Sequence, residues 1–227
     1  MKIKKKAVIG VTPSIADGKY SLNEDYVKAF MNADAAVVIL TLGDAGETLR
    51  LVDGVLLSGG GDIDSKYFGE PLHPLARVVD ARRDAFEIEL CRRAFAARKP
   101  MLCICRGIQV LNVALGGSVS QHIEGHFFED LRREKVHNVK IAENTLLRRI
   151  LGVSETGVNS VHHQAAGTVA KALEVSARAD DGTIEALEAR NGFTLGVQWH
   201  PEAIFDKFEE QAAIFKAFAR AVAEEPL

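Results

Sequence analysis

The 227-residue chain has few cysteines, no long apolar run and no excess of basic residues, and each shortage excludes a class of protein. Cys91, Cys103 and Cys105 are odd in number and lack zinc-site spacing, which argues against a disulfide framework or a cysteine-held zinc ion. No stretch approaches the roughly 20 apolar residues of a membrane-spanning helix. The net charge of −3 favours no nucleic-acid surface, and the KIKKK cluster at 2–6 is too short to form one.

The first residues of the sequence do not have the pattern of a secretory signal peptide. The apolar run after KIKKK is short and soon meets Pro13 and Asp17. We therefore expect a cytoplasmic protein. Without an internal repeat, a low-complexity segment or a linker, one domain over residues 1–227 is expected.

The first two thirds of the chain alternate apolar strands with amphipathic helices. Buried strands are predicted over 7–13, 35–42, 53–64 (running into a glycine-rich loop) and 100–105. Helices are predicted over 22–34, 84–98, 107–117 and, at the end of the chain, 208–223. Strands that are apolar on both faces and alternate with helices indicate an α/β fold with a central, mostly parallel sheet.

Shorter segments that alternate apolar and polar residues follow from about residue 136. They are VHNVKI, VNSVHHQ, LEVSARAD, IEALEAR and FTLGVQWH. This pattern is typical of half-buried antiparallel strands. The predicted fold class is therefore an α/β three-layer sandwich, in which helices flank a mostly parallel sheet that carries a small antiparallel section.

Cys105 follows an apolar strand and precedes Arg106, Gly107 and a predicted helix. A sharp strand-to-helix turn exposes a nucleophile above the sheet. It also places the sulfur at a helix N-terminus, which favours the thiolate. Cys103, one pleat deeper, is expected to be buried, as is Cys91 on the apolar face of its helix. Taken alone, this stretch leaves core packing and catalysis open for Cys105.

A general base for such a nucleophile is predicted in GVQWHPE, at residues 196–202. A strand ends at His200, and the Glu202 carboxylate two residues later can fix the tautomer of the imidazole. A surface turn would have the same local sequence. The third segment, SGGGDID at 58–64, lacks the spacing of a phosphate-binding loop. Its glycines can instead present backbone N–H groups to an oxyanion, or form a flexible turn.

Together, CRGIQ at 105–109, GVQWHPE at 196–202 and LLSGGGDID at 56–64 resemble the class I glutamine amidotransferase-like superfamily, which has a flavodoxin-like fold. The chain is most similar to the peptidase C26 branch, which includes γ-glutamyl-γ-aminobutyrate hydrolase. Cys-Arg-Gly in place of Cys-Leu-Gly, Gly-Gly-Gly-Asp in place of Gly-Gly-Pro, and VNSVHHQ at 158–164 point to that branch.

The resemblance implies a role for each matching residue. Cys105 corresponds to the nucleophile, His200 to the general base and then acid, and Glu202 to the residue that orients it. The backbone N–H groups of Gly60 and Arg106 correspond to the oxyanion hole. The implied substrate-binding residues are Gln109, Asn159, Ser160, His162 and Gln164.

The implied function is hydrolysis of the γ-glutamyl amide bond of small amines, such as γ-glutamyl-γ-aminobutyrate in polyamine (putrescine) catabolism. A glutaminase subunit that delivers ammonia to a partner synthase is an alternative, and a catalytically silent binding module is a second one. We expect a small-molecule γ-glutamyl substrate and no nucleic-acid or membrane partner, and a homodimer is left open. No cofactor is expected.

No metal site is expected either. His122 and His126 have a metal-ligand spacing only if they lie in a helix, and the neighbouring glycines argue against one.

Overall fold

The computed structural model describes residues 6–16 and 18–223, so residues 2–5 of the KIKKK cluster lie outside the described part. The helices are α1 (Glu24–Asn32), α2 (Ala45–Arg50), α3 (Ala81–Ala96), α4 (Arg106–Ala114), α5 (Leu146–Leu151) and α6 (Glu209–Val222). The strands are β1 (Val8–Val11), β2 (Ser14–Ala16), β3 (Lys19–Ser21), β4 (Ala36–Ile39), β5 (Gly54–Leu57), β6 (Met101–Ile104), β7 (Val119–Ser120), β8 (His137–Ile141), β9 (Glu155–Val158), β10 (Ala165–Ala166), β11 (Leu173–Ala179), β12 (Ile184–Ala189) and β13 (Thr194–Val197).

One large sheet runs through the described part of the chain in the order β4-β1-β5-β6-β13-β12-β11-β8-β9. From β4 to β13 neighbouring strands are parallel. From β13 to β9 they are antiparallel. Strand β13 therefore joins the two halves, and its register pairs Val197 with Ile104.

Helices cover both faces of this sheet. On one face, α1, α5 and α6 bury Phe30, Leu147, Phe215 and Phe218 against the strands. On the other, α2, α3 and α4 contribute Leu49, Leu90 and Leu111 to a second apolar cluster. The predicted three-layer α/β sandwich is confirmed.

The parallel strands are the parts of the sheet with apolar residues on both faces. Every residue of β5, β6 and β13 is buried, because helices lie above and below them. In β8 the alternation of exposed and buried residues is visible instead. The uniformly apolar strands of the sequence thus form the parallel half of the sheet, and the alternating strands form the antiparallel half.

Some elements differ from the sequence predictions. VNSVHHQ was expected to be a strand, but β9 ends at Val158 and the rest is an irregular segment with an isolated bridge at Val161. Asn159 and Ser160 bond to loops and to His200 instead of to a strand. Helix α3 begins earlier than expected, because the Asp80 side chain caps it by accepting from Arg82 N.

Among the described residues, none of the helices combines the length and apolar character needed to cross a bilayer.

Candidate active site

Cys105 lies in a strained turn between β6 and α4. Its backbone has φ 53° and ψ −105°, a conformation that costs energy in any residue with a side chain. The Cys105 N–H donates to Val197 O at 2.8 Å, which ties the turn to β13. Gly107 permits the close crossing of α4 over the sheet, since a Cβ there would lie 2.2 Å from Leu57 O. The turn has the backbone of a nucleophile elbow.

His200 and Glu202 form a buried pair just beyond β13. The His200 Nδ1 atom lies 2.5 Å from Glu202 Oε1, so the ring Nε2 is left for Cys105. Burial lowers the pKa of His200, but the negative charge of Glu202 and the contact with Cys105 outweigh it and raise the pKa to about 10. The pair is arranged to hold a protonated imidazole beside the Cys105 sulfur.

Two further residues hold this pair in place. The Asn159 amide donates to His200 O at 2.9 Å and to Arg132 O at 2.6 Å, while its oxygen accepts from His200 N at 2.8 Å. The Arg132 guanidinium donates to Glu202 Oε1 at 3.0 Å. The Asn159 side chain therefore holds the backbone of His200 in place. Arg132 and His200 both contact the same carboxylate oxygen of Glu202.

The glycine-rich loop lies beside the His200–Glu202 pair. A Cβ on Gly59 would come 2.9 Å from His200 Cε1, and one on Gly60 would come 2.2 Å from Arg83 Nη1. The Gly59 N–H donates to the Tyr26 hydroxyl at 3.0 Å. A Cβ on the third glycine, Gly61, would also come within 2.2 Å of a neighbouring side chain. All three glycines are thus needed for close approach, which is a stronger requirement than a flexible turn imposes.

A buried network of charged side chains, most of them on α3, holds this loop in place. Arg83 donates to Gly59 O at 2.9 Å and to Glu87 Oε1 at 2.8 Å. Arg106 donates to Asp84 Oδ1 at 2.5 Å and also contacts Glu87 Oε2. Burial opposes ionisation of Glu87, but the two arginines keep its pKa below the ordinary value. The Arg106 side chain therefore joins the nucleophile turn to the loop through α3.

The donors expected for an oxyanion lie at the same place. Arg106 is the first residue of α4, so its backbone N–H has no acceptor within the helix. Gly60 and Arg106 both line a cavity of about 400 Å³ that also contains Cys105. Two backbone donors beside a nucleophile can stabilise the tetrahedral intermediate of acyl transfer.

The same cavity collects most of the predicted substrate-binding residues. Gln109, His162 and Gln164 line it together with Cys105. The Gln109 amide is 3.3 Å from both Gln164 O and Gln198 Oε1. The Gln164 Oε1 atom is buried and accepts no hydrogen bond from any described residue.

Asn159 and Ser160 do not lie among the residues that line this cavity. Asn159 bonds to the backbone of His200, and the Ser160 hydroxyl donates to His126 O at 2.8 Å. Both side chains are wholly buried. The structure thus gives these two residues contacts other than the substrate contacts expected for them.

Several supporting residues were missed by the sequence analysis. Tyr26 and Arg132 have no distinguishing local pattern, because they lie in an amphipathic helix and in a polar connecting segment. Arg83, Asp84 and Glu87 had a signal that was not used. Charged residues on the buried side of an otherwise amphipathic helix indicate an internal ion-pair network.

Comparison with known proteins identifies the family of the chain. The family model described as Peptidase C26 matches residues 5–202. The chain is 34% identical to the Schizosaccharomyces pombe protein named "Putative glutamine amidotransferase PB2B2.05", over 86% of this chain and 80% of that protein. It is 31% identical to the γ-glutamyl-γ-aminobutyrate hydrolase PuuD of Escherichia coli K12, over 88% of this chain and 86% of that one.

A solved structure, described as "a putative gmp synthase subunit a protein" from Thermoplasma acidophilum, has the same fold with a TM-score of 0.73. The structural match covers 97% of this chain and 96% of the Thermoplasma chain, and the two sequences are 16% identical. The fold, the Cys-His-Glu arrangement and the match over most of its length lead to one conclusion: the chain belongs to the peptidase C26 family of glutamine amidotransferase-like hydrolases.

Proposed function

We propose that the protein hydrolyses the γ-glutamyl amide bond of small γ-glutamyl amines and releases glutamate through a thioester on Cys105. The observation that carries the proposal is the position of Cys105. It lies at the wall of a cavity of about 400 Å³ and beside the buried His200–Glu202 pair. A cavity of this size suits a small γ-glutamyl amine.

In the first half of the reaction, the Cys105 thiolate attacks the γ-carbonyl carbon. The oxyanion forms beside the backbone N–H groups of Gly60 and Arg106. Protonated His200 gives its proton to the leaving amine, the C–N bond breaks, and a γ-glutamyl thioester remains. Glu202 stabilises the imidazolium that donates this proton.

In the second half, neutral His200 takes a proton from water as the water oxygen attacks the thioester. The C–S bond breaks, glutamate leaves, and the thiolate and imidazolium are restored. No redox step occurs, and every proton is carried by His200. The residues placed at the site can therefore supply both halves of the reaction.

The cavity also offers groups for the α-amino and α-carboxylate ends of a glutamyl substrate. Asp62 lines the cavity, and its negative charge suits the α-amino group. Arg77 lines the cavity as well, and its backbone N–H donates to Asp62 Oδ2 at 2.6 Å. We assign Arg77 to the α-carboxylate on the strength of its charge.

A glutaminase subunit that passes ammonia to a synthase is the second candidate. Relatives such as the Schizosaccharomyces pombe protein carry amidotransferase names. The two candidates share the thioester and differ in the leaving group, which is ammonia for glutamine and a larger amine for the hydrolase.

Glutamate release tests the proposal directly. The purified chain is incubated with γ-glutamyl-γ-aminobutyrate, with other γ-glutamyl amines and with glutamine. We expect wild type to release glutamate from the amines, and Cys105→Ala to release none above background. Cys103→Ala is the matched control, because Cys103 is wholly buried two residues away and its loss costs stability of about 1 kcal/mol without touching the cavity.

Equal release by wild type and Cys105→Ala would refute the nucleophile assignment. Release from glutamine alone, increased by a synthase, would favour the glutaminase subunit. Loss of activity in Cys103→Ala with an intact fold would show that the assay reports packing and not the nucleophile.

A further inference from the structure

Three histidines and a glutamate meet in the antiparallel half of the molecule, outside the catalytic pair. This histidine cluster consists of His126, His137, His162 and Glu185, and the ligand atoms of its members all lie within 4.8 Å of one another. His137 begins β8, Glu185 lies in β12, and the other two come from loops. Four separate parts of the chain therefore converge on one point.

The inner atoms of the cluster have the spacing of a coordination sphere. Glu185 Oε1 lies 3.4 Å from His126 Nδ1, 3.6 Å from His162 Nε2 and 3.8 Å from His137 Nε2. Ligand atoms held tetrahedrally at about 2.0–2.1 Å from a zinc ion are roughly 3.4 Å apart. Small movements of the side chains would therefore place all four around one ion.

The outer nitrogen of each histidine already faces an acceptor oxygen. The three pairs are His126 Nε2 with Asp181 Oδ2 at 2.9 Å, His162 Nδ1 with Gln164 O at 3.0 Å, and His137 Nδ1 with Asn138 O at 3.2 Å. An acceptor there places the ring proton on the outer nitrogen, so the inner nitrogen presents a lone pair to the cluster. Histidines that bind metals usually have such an outer partner.

The inner atoms have little else to bond. Both carboxylate oxygens of Glu185 and the Nε2 of His137 are buried without a hydrogen-bond partner in the described part of the chain. Ser160 Oγ lies 3.1 Å from His162 Nε2 and 3.3 Å from His126 Nδ1, but the same hydroxyl donates its proton to His126 O at 2.8 Å. A wholly buried carboxylate without a donor is costly, so these atoms indicate a positively charged ligand.

We propose that His126, His137, His162 and Glu185 bind one divalent ion of the zinc class. Three imidazoles and one carboxylate suit such a borderline-soft ion. Because the protein supplies four ligands, the site is structural and does not take part in the reaction. The ion would join His162, which lines the cavity, to Glu185 on β12. The backbone oxygen of Glu185 in turn accepts from the N–H of Gln198, two residues before His200.

This proposal departs from the expectation that no metal is bound. The sequence suggested only the pair His122 and His126, and the structure separates them. The His122 ring stacks on His73 at 5.5 Å, whereas His126 packs against His162 at 4.9 Å. The ligands come from residues 126, 137, 162 and 185, a spacing that no short motif predicts.

Metal binding by the full chain, prepared without a histidine tag, tests the site. The protein is stripped with a chelator and then titrated with Zn²⁺ and with Co²⁺. We expect one ion per chain, the intense visible absorption of four-coordinate Co²⁺, and a higher Tm with Zn²⁺. His137→Ala and Glu185→Gln should each abolish this binding. His73→Ala is the matched control, because His73 lies outside the cluster, and it should bind as wild type does.

Four results would overturn the proposal, and the first three concern the wild-type chain and His137→Ala. They are a wild-type chain that binds no ion, a Co²⁺ spectrum of the weak six-coordinate kind, and a His137→Ala variant that binds as well as wild type. Loss of the ion in His73→Ala would place the metal elsewhere and would also overturn it. The wild-type stoichiometry and spectrum decide the matter even if a variant fails to fold. None of these readouts depends on catalytic activity, so the test is separate from that of the proposed function.

Discussion

Cys103 and Cys105 show how strongly surroundings determine the chemistry of a residue. Cys103 is wholly buried in the apolar cluster that α2, α3 and α4 form with the sheet, and burial raises the pKa of its thiol well above the usual value. Cys105 lies in the strained turn and lines the cavity. The side chain is the same in both positions, but only Cys105 has an open approach and a neighbouring imidazole.

Glu202→Gln tests how much of the activity depends on the charge beside His200. The amide keeps the shape of the carboxylate but removes the negative charge that raises the pKa of His200. We expect kcat for glutamate release to fall by about 10²–10⁴-fold, since His200 is less often protonated to serve the leaving amine. Steady-state kinetics with a γ-glutamyl amine measure the change.

Asp206→Asn is the control for that variant. It is a nearby, half-exposed carboxylate that pairs with Arg133 and not with the imidazole. Its kcat should remain close to that of wild type. A Glu202→Gln variant with wild-type kcat would show that Glu202 has no orienting or electrostatic role.

For single residues, the sequence predicted site contacts within short motifs and missed those between distant segments. His200 and Glu202 are two residues apart, so their contact could be anticipated. Arg132 is 70 residues from Glu202, and its contact with that carboxylate depends on the path of a loop. The role of Asn159 was also inaccessible, because the amide bonds to backbone atoms whose positions the sequence does not reveal.

Helix α3 connects the elements around the site. It carries Arg83, Asp84 and Glu87 on its buried side, which hold the glycine-rich loop and Arg106. Glycine-rich segments are flexible, so the loop needs such support to keep its N–H groups aligned. The stability of the protein therefore depends on complete pairing of the buried charges on α3, because an unpaired buried charge is strongly destabilising.

Glu87→Gln should therefore destabilise the protein by about 3–5 kcal/mol, because it leaves two buried arginines with too little negative charge. Glu89→Gln on the same helix is the matched control. Its half-exposed pair with Arg93 should be worth less than about 1 kcal/mol. Urea unfolding of both variants gives the two free energies, and equal values would contradict the proposed role of the network.

The elements that the sequence predicted well are long or strongly apolar. The parallel strands and helices α1, α3, α4 and α6 all gave clear periodic signals. Helices α2 and α5 have six residues each, fewer than two turns, and gave no period to detect. VNSVHHQ alternates like a strand, but its polar residues are buried and bonded to loops, which alternation alone cannot reveal.

For the whole molecule, the buried charge on His200 links folding to pH. The native pKa is raised to about 10, above the ordinary value of 6.5, so the folded chain binds a proton that the unfolded chain has lost. This contribution to stability is complete below pH 6.5 and is lost as the pH rises towards 10. The slope from this one group is at most about 1.4 kcal/mol per pH unit.

Urea unfolding at several pH values between 6.5 and 9.5 should show this decline in wild type. In His200→Gln the decline should be smaller, because the titrating group is gone. Parallel curves for the two proteins would contradict the assignment of a raised pKa to His200.

Strand β13 lies between β6, the strand that leads into Cys105, and the antiparallel half of the sheet. Val197 pairs with Ile104 across roughly ninety residues of intervening chain, so this closure carries a large entropic cost and is slow to form. During synthesis, the cysteine turn leaves the ribosome long before its imidazole partner exists. The nascent protein therefore carries Cys105 without the His200 imidazole, and the two side chains meet only when β13 enters the middle of the sheet.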